Sequence, residues 1–318
     1  MKAITQDRYG PSAVLTLNDI ELPAVAPGGV LVRVAAAGVD QGVWHLMAGR
    51  PYLVRLATGP RRPRQRVPGM DLAGTVAAVG RDVTAFKVGD RVFGNGEGTY
   101  AEYARAKPAK LAPMPRGLSF ERAAAVPVSA CTALDAVEDA RIAAGHSVLV
   151  LGAAGGVGSY AVQLAAALGA EVTGVCRGEK TDFVRGLGAA HVLDYTREEP
   201  TGRFDAILDT GGQRSIPALR RLLKPKGTLV IIGGETDGKW FGGFGRSLRA
   251  QALSPFTGQR LRGLVSLVKG ARLARVGELI ESGAVTVPLD RVFPLAEAGA
   301  AIDHMRQGRV RGKVVVTV

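Results

Sequence analysis

The stretch Gly152-Ala153-Ala154-Gly155-Gly156-Val157-Gly158 sits between an apolar run at 148–151 and an alanine-rich segment of helical period that ends near Leu168. A second apolar run follows at 172–175. Strand, tight glycine turn, helix and strand in this order form the frame that holds a pyrophosphate. A missing side chain at Gly155 lets the backbone approach the phosphates, and one at Gly158 lets the helix pack onto the strand. The amides of the turn and first helical residues, 154–158, face the phosphate charge. Ala153 stands where the usual pattern has its first glycine, which changes the turn slightly and leaves the amide cradle in place. The chemistry this arrangement points to is dinucleotide binding.

The end of the second strand discriminates between dinucleotides. An acidic residue there accepts hydrogen bonds from a ribose 2′-hydroxyl, as in NAD sites. Here the strand runs into Cys176-Arg177-Gly178-Glu179-Lys180, so Cys176 takes the acidic position with Arg177 and Lys180 close behind. A carboxylate repels a 2′-phosphate and cations attract it; a charge-assisted hydrogen bond contributes about 1.5–3 kcal/mol. Discounted for exposure, that gives about a tenfold preference. The expected cofactor is NADPH, with Glu179 turned to solvent.

The elements that position these residues fall into two textures. Short β-like runs at 30–36, 72–79 and 91–93 are punctuated by Pro27-Gly28-Gly29, Gly59-Pro60, Pro68-Gly69 and Val88-Gly89-Asp90. That predicts a compact, mostly antiparallel domain. From about Ser119, the expected helix N-cap, apolar runs alternate with helical stretches through 228–232, which predicts a parallel sheet covered on both faces. Beyond about Arg260, helical stretches through 276–280 and 295–305 lead to a closing strand at 313–318. The expected division is 1–119 with 262–318 as one discontinuous domain and 120–261 as the dinucleotide-binding domain.

Bulk properties narrow the class. Of 318 residues, 47% are hydrophobic and 22% charged, as in a folded protein with a sizeable core. The N-terminus lacks a signal-peptide apolar core, and the most apolar stretch, 147–176, is interrupted by Gly152, Gly155, Gly156 and Gly158 and carries Gln163 and Glu171. A cytoplasmic protein without a transmembrane helix is expected. The two cysteines, Cys131 and Cys176, are read as reduced and packed, and cannot form a four-cysteine zinc site. The net charge of +13 is carried largely by the clusters at 55–66 and 246–275. Neither is interleaved with aromatics like a single-strand-binding surface; the second has helical spacing that could touch a membrane. A solvated basic surface is the simplest reading, and no nucleic-acid partner is expected.

Pro68-Gly69-Met70-Asp71-Leu72-Ala73-Gly74, Gly89-Asp90-Arg91-Val92-Phe93-Gly94 and Tyr100-Ala101-Glu102-Tyr103 resemble motifs of the medium-chain dehydrogenase/reductase superfamily. The loop at 153–158, His191-Val192-Leu193-Asp194-Tyr195 and Gly312-Lys313-Val314-Val315 resemble its quinone oxidoreductase branch, and the likeness runs from end to end. It implies an α/β fold: a GroES-like, mostly β catalytic domain split around a Rossmann domain with a doubly wound parallel sheet. It also implies a homodimer formed through the Rossmann sheet edge. By the same resemblance Thr132, Thr210-Gly211 and Ile232-Gly233-Gly234 border the nicotinamide half of the cofactor, and Tyr195 lies near the adenosine phosphate. The zinc branch needs a Cys near Gly38 and a His near Gly69. The residues there are Val39-Asp40-Gln41 and Met70-Asp71, so no zinc site is expected.

Without a metal to polarise an alcohol, reduction of an activated acceptor is the easier chemistry. Hydride attacks a quinone or the β-carbon of an enone, and a proton follows from water or a side chain. Asp40, His45 and Tyr52 are the candidates for proton donor or substrate hydrogen bond. Relatives often carry Asn where this chain has Asp40 and Asp where it has Val43, a departure at the cleft. Two alternatives stand beside the quinone or enone reductase. One is an enoyl-thioester reductase whose basic loop Arg61-Arg62-Pro63-Arg64 holds carrier phosphates. The other is a non-enzymatic NADPH-binding protein.

Overall fold

The computed structural model describes residues 1–233, 238 and 240–318. Gly234, one of the expected cofactor neighbours, lies outside the described residues. The chain forms two compact units: Met1–Cys131 with Leu267–Gly283 and Leu289–Val318, and Thr132–Ser266 with Ala284–Pro288. These units switch later along the chain than the sequence-derived boundaries at 119/120 and 261/262.

In chain order the elements are β1 (Lys2–Thr5), β2 (Thr16–Asp19), β3 (Val30–Val39), α1 (Gln41–Ala48), α2 (Arg55–Thr58), β4 (Asp71–Val79), β5 (Arg91–Glu97), β6 (Tyr103–Pro113), α3 (Phe120–Ala124) and α4 (Pro127–Asp139). Then come β7 (Ser147–Leu151), α5 (Gly156–Ala167), β8 (Glu171–Cys176), α6 (Thr181–Gly186), β9 (His191–Asp194), β10 (Phe204–Asp209), α7 (Ile216–Arg221), β11 (Leu223–Ile231), α8 (Gly243–Leu253) and β12 (Arg260–Gly263). The chain ends with α9 (Gly270–Glu281), β13 (Leu289–Pro294), α10 (Ala298–Arg306) and β14 (Lys313–Thr317).

In the first unit the sheet order is β13-β14-β3-β4-β5-β6, and β3 also pairs with β6, so β3 to β6 close on themselves. All these pairings are antiparallel except β13 with β14. Inward-facing Val30, Val32, Val34, Leu72, Val76, Val92, Val314 and Val316 form the core. Closure removes the exposed edges that β3 and β6 would present in an open sheet. Ser119 caps α3 as expected, accepting from Arg122 N at 3.3 Å.

The second unit is an all-parallel sheet of order β12-β11-β10-β7-β8-β9. Read from β9, that is the 3-2-1-4-5-6 order of a doubly wound sheet, whose ligand edge is at the strand C-termini. Val148, Leu149, Val150, Ile207, Leu208, Leu229 and Val230 are completely buried, which is why these strands read as continuous apolar runs. Gln163 on α5 explains why residues 284–288 belong here. Its Oε1 accepts from the Thr286 amide at 2.7 Å and its Nε2 donates to the Thr286 carbonyl at 3.1 Å.

Candidate active site

At the ligand edge of the second unit, β7 ends in a turn that only particular residues can make. Gly152 has φ of +76°, and a Cβ there would lie 2.4 Å from Thr210 Oγ1. The amides of Gly152 and Ala153 donate to the Val175 carbonyl at 3.1 and 3.0 Å, tying the turn to β8. Ala153 is fully buried, and a Cβ on Gly174 of β8 would come within 3.1 Å of its own. An alanine in place of the usual glycine is thus accommodated by a glycine on the neighbouring strand.

Helix α5 starts at Gly156 behind Gly155, a cap without a side-chain hydrogen bond. The first helical amides, from Gly156, Val157 and Gly158, have no carbonyl one turn back to bond to. A Cβ on Gly158 would sit 2.1 Å from the Gly152 carbonyl oxygen, so loop and helix approach as closely as backbone allows. Bare amides, a helix N-terminus and a loop without side chains fit a pyrophosphate.

Beside this loop, Thr210 Oγ1 donates to the Leu151 carbonyl at 2.7 Å, which holds the ends of β10 and β7 together. Asp209, the last residue of β10, accepts from the Gly212 amide through Oδ1 at 2.9 Å. Its carbonyl accepts from the Ile232 and Gly233 amides at 2.9 and 3.3 Å. Thr210, Gly211, Ile232 and Gly233 are therefore brought to one edge with the glycine loop. Arg246 on α8 contacts Asp209 at 2.5 Å, and neither residue was singled out from the sequence. Arg246 stood within a basic cluster read as surface charge, yet its side chain is 10% exposed. That cluster also divides differently from a single helical stretch: α8, β12 and α9 each carry part of it.

At the end of β8, Cys176 is buried, and burial pushes its thiol up, with the Lys180 ammonium opposing. Arg177 is exposed and its guanidinium donates to the hydroxyl of Tyr195 just beyond β9, which holds the arginine above its ordinary range. Lys180 departs from the expectation of a second surface cation: it is 6% exposed, with its ammonium acting on the Cys176 thiol. Asp194 lies against the Gly178 backbone, and its carboxylate is held down by the amide and hydroxyl of Thr196 at 3.0 and 2.8 Å.

The proton-donor candidates lie in the first unit, where local bonds occupy them. Asp40 is the N-cap of α1, with Oδ1 accepting from Val43 N at 3.3 Å; its Oδ2 is buried without a hydrogen-bond partner. His45 Nδ1 is 2.8 Å from the Arg50 carbonyl, which selects the Nδ1–H tautomer and leaves Nε2 an acceptor in the neutral ring. The Tyr52 ring receives the Arg55 guanidinium at 4.8 Å, and Tyr9 takes its other contact at 4.6 Å. Thr132 is half-buried on α4.

Asp71, whose ionisation is strongly displaced, passed in the sequence as one letter of a signature. It opens β4 and accepts from the Val128 amide at 3.1 and 3.2 Å. Burial, reinforced by Asp40 and offset by Lys313, pushes its carboxyl up to about 8. Among the described residues no group of three or more His, Cys, Asp or Glu side chains could hold a metal ion.

Comparison with known proteins places this geometry. Residues 26–116 match the family described as alcohol dehydrogenase GroES-like domain, and 187–316 the family described as zinc-binding dehydrogenase. The chain is 30% identical to a chloroplastic quinone-oxidoreductase of Triphysaria versicolor, over 99% of this chain and 98% of that one. It is 31% identical to a chloroplastic NADPH-dependent alkenal/one oxidoreductase of Arabidopsis thaliana, over 99% and 79%. The solved quinone oxidoreductase from Coxiella burnetii superposes with a TM-score of 0.90 at 29% identity, over 100% and 99% of the two chains.

Proposed function

The chain belongs to the medium-chain dehydrogenase/reductase superfamily, in its quinone oxidoreductase and enone reductase branch, and we propose that it reduces its acceptor with NADPH rather than NADH. As an oxidoreductase of this branch it delivers hydride to a quinone or an α,β-unsaturated carbonyl. The observation that carries the cofactor reading is the end of β8: a buried thiol where NAD sites have a carboxylate, followed by an exposed arginine tied to Tyr195. Glu179 and Asp194 act on the same guanidinium, so the discrimination expected is modest, about tenfold.

When bound, the nicotinamide supplies the hydride. The residues of this chain bind and orient it. Ala154, Gly155, Gly156, Val157 and Gly158 take the pyrophosphate, Cys176, Arg177 and Tyr195 the adenosine phosphate, with the buried Lys180 acting beside Cys176. Thr132, Thr210, Gly211, Ile232 and Gly233, with Gly234 beyond the described residues, take the nicotinamide half. The proton comes from water or from Asp40, His45 or Tyr52; with the Nδ1–H tautomer set by Arg50, His45 donates through Nε2 only when protonated. The reading includes a domain division near residues 119 and 261, a cytoplasmic location, and a homodimer through β12, whose outer edge ends the sheet. Among the described residues no helix is long and apolar enough to cross a membrane.

A second reading, reduction of a carrier-bound enoyl thioester, is favoured by the loop after α2. Pro63 is buried while Arg61, Arg62 and Arg64 are exposed, so the loop is anchored and its cations face solvent. Consumption of NADPH and of NADH against a benzoquinone, a simple enone, an enoyl-CoA and a ketone tests both readings. NADPH-dependent loss with quinone or enone supports the first. Turnover confined to the thioester, and abolished by substituting the three arginines, moves the assignment to the second.

A further inference from the structure

Two carboxyls and one ammonium are sealed together in the first unit. Asp71 is completely buried, and Asp40 and Lys313 are 8% and 2% exposed. The Asp71 carboxyl is faced by Asp40 from the start of α1, Lys313 from β14, Asn95 from β5 and the Val128 amide from α4. The Tyr100 hydroxyl, which donates to the Gly38 carbonyl at 3.3 Å, stands close to both carboxyls. Lys313 Nζ donates to the Val39 carbonyl at 3.1 Å, immediately before Asp40.

The charge count decides what this cluster can be. Two carboxylates against one ammonium leave an uncompensated negative charge in a dry interior, and a buried group in that position takes up a proton instead. Asp40 caps α1, its Oδ1 accepting from Val43 N, and so faces the positive end of that helix. Asp71 also accepts from the first turn of α4, through Val128 N, but it is the more deeply buried of the two, with no exposed surface against 8% for Asp40, and its contact with that amide survives protonation of one oxygen.

We propose that Asp40 and Asp71 hold one proton between them at neutral pH, and that Asp71 is a positioning residue that keeps Asp40 charged as the cap of α1, the helix carrying Trp44 and His45. Loss of that proton in alkali puts a second negative charge beside Asp40 and loosens the start of α1. The displacement of the Asp71 carboxyl to about 8 agrees in direction and places the loss in mildly alkaline solution.

The sign of the linkage makes this testable on the intact chain. A carboxyl whose folded pKa is raised loses folding stability as pH rises from its ordinary range to the folded value, and levels off above it. Melting temperature is measured against pH for wild type, Asp71→Asn, Asp40→Asn and Lys313→Met, with the pH profile of quinone reduction alongside. Asp71→Asn is expected to gain on wild type steadily as pH rises and to level near pH 8. It is also expected to lack the alkaline decline of activity centred there. Asp40→Asn keeps a capping oxygen but removes the neighbouring charge, so its plateau starts at lower pH; Lys313→Met moves the plateau to higher pH. A difference between Asp71→Asn and wild type that is constant across pH overturns the proposal. So does a plateau that stays in place in both charge variants, which decide the matter even if Asp71→Asn fails to fold.

Discussion

Arg246 on α8 and Asp209 at the end of β10 are paired at 2.5 Å, with the arginine 10% and the aspartate 1% exposed. The same aspartate anchors Gly212, Ile232 and Gly233, and Arg246 Nη2 also donates to the Arg214 carbonyl at 2.7 Å. The pair therefore ties a helix to the turns at the ligand edge. Removing one partner leaves the other charge buried and unmatched, which costs about 3–5 kcal/mol. Arg246→Met and Asp209→Asn are each expected to lower the melting temperature strongly and to weaken dinucleotide binding. The double variant is expected to recover part of the loss, as measured by a double-mutant cycle of denaturant unfolding.

Gly158 offers a sharper test of the phosphate loop. Its missing Cβ would stand 2.1 Å from a backbone oxygen, which cannot swing away as a side chain could. Gly158→Ala must push α5 off the loop, an overpacking of about 1–3 kcal/mol. Dinucleotide affinity is expected to fall about ten- to hundredfold by fluorescence titration. An affinity within twofold of wild type would remove the loop from the binding site.

These residues differ in how openly the sequence announced them. The glycine loop was legible because strand, turn and helix each carry their own period, and the frame is local. So were the parallel strands, whose unbroken apolar runs reflect burial on both faces. Arg246 and Lys180 were not: a cation has the same letter whether exposed or buried, and only the strand ends above them decide. Asp71 was hidden for a related reason. Its neighbours Asp40, Asn95 and Lys313 are scattered from the first strands to the last, and no spacing rule joins them. The proton-donor candidates were chosen by type, while the structure gives Asp40 a cap and Tyr52 a stacked guanidinium. Strand β6 was missed because residues 105–110 carry three cations, a proline and two alanines, so no large apolar side chain marks the inward face.

Asp205, near the start of β10, makes a pH prediction of opposite sign to Asp71. Burial pushes its carboxyl up, but Lys224 Nζ at 2.7 Å and the amide and hydroxyl of Ser147, both at 2.9 Å, outweigh it and hold the group at about 2. A depressed pKa contributes stability that is fully present above the ordinary value of 3.8 and is lost as pH falls through about 2. Asp205→Asn is therefore expected to melt below wild type at neutral pH, with the gap narrowing only in strong acid. A gap unchanged between neutral and acidic solution would separate this carboxylate from the pairing of β7 with β10.

Arg177 is expected to carry the cofactor preference. Its guanidinium is exposed, held by Tyr195, and followed by a lysine that packs inward, so one cation rather than two meets a 2′-phosphate. Exposure and the nearby Glu179 and Asp194 reduce its effect to the strength of one screened charge-assisted hydrogen bond. Arg177→Ala is expected to weaken NADPH binding about tenfold and leave NADH binding within twofold, since NADH has no 2′-phosphate to lose. Tyr195→Phe frees the guanidinium without removing its charge and is expected to have a smaller effect of the same sign. Titrating both nucleotides against the three proteins separates the possibilities. Equal weakening of NADPH and NADH would mean that Arg177 supports the fold of the strand end, and that the phosphate is recognised elsewhere.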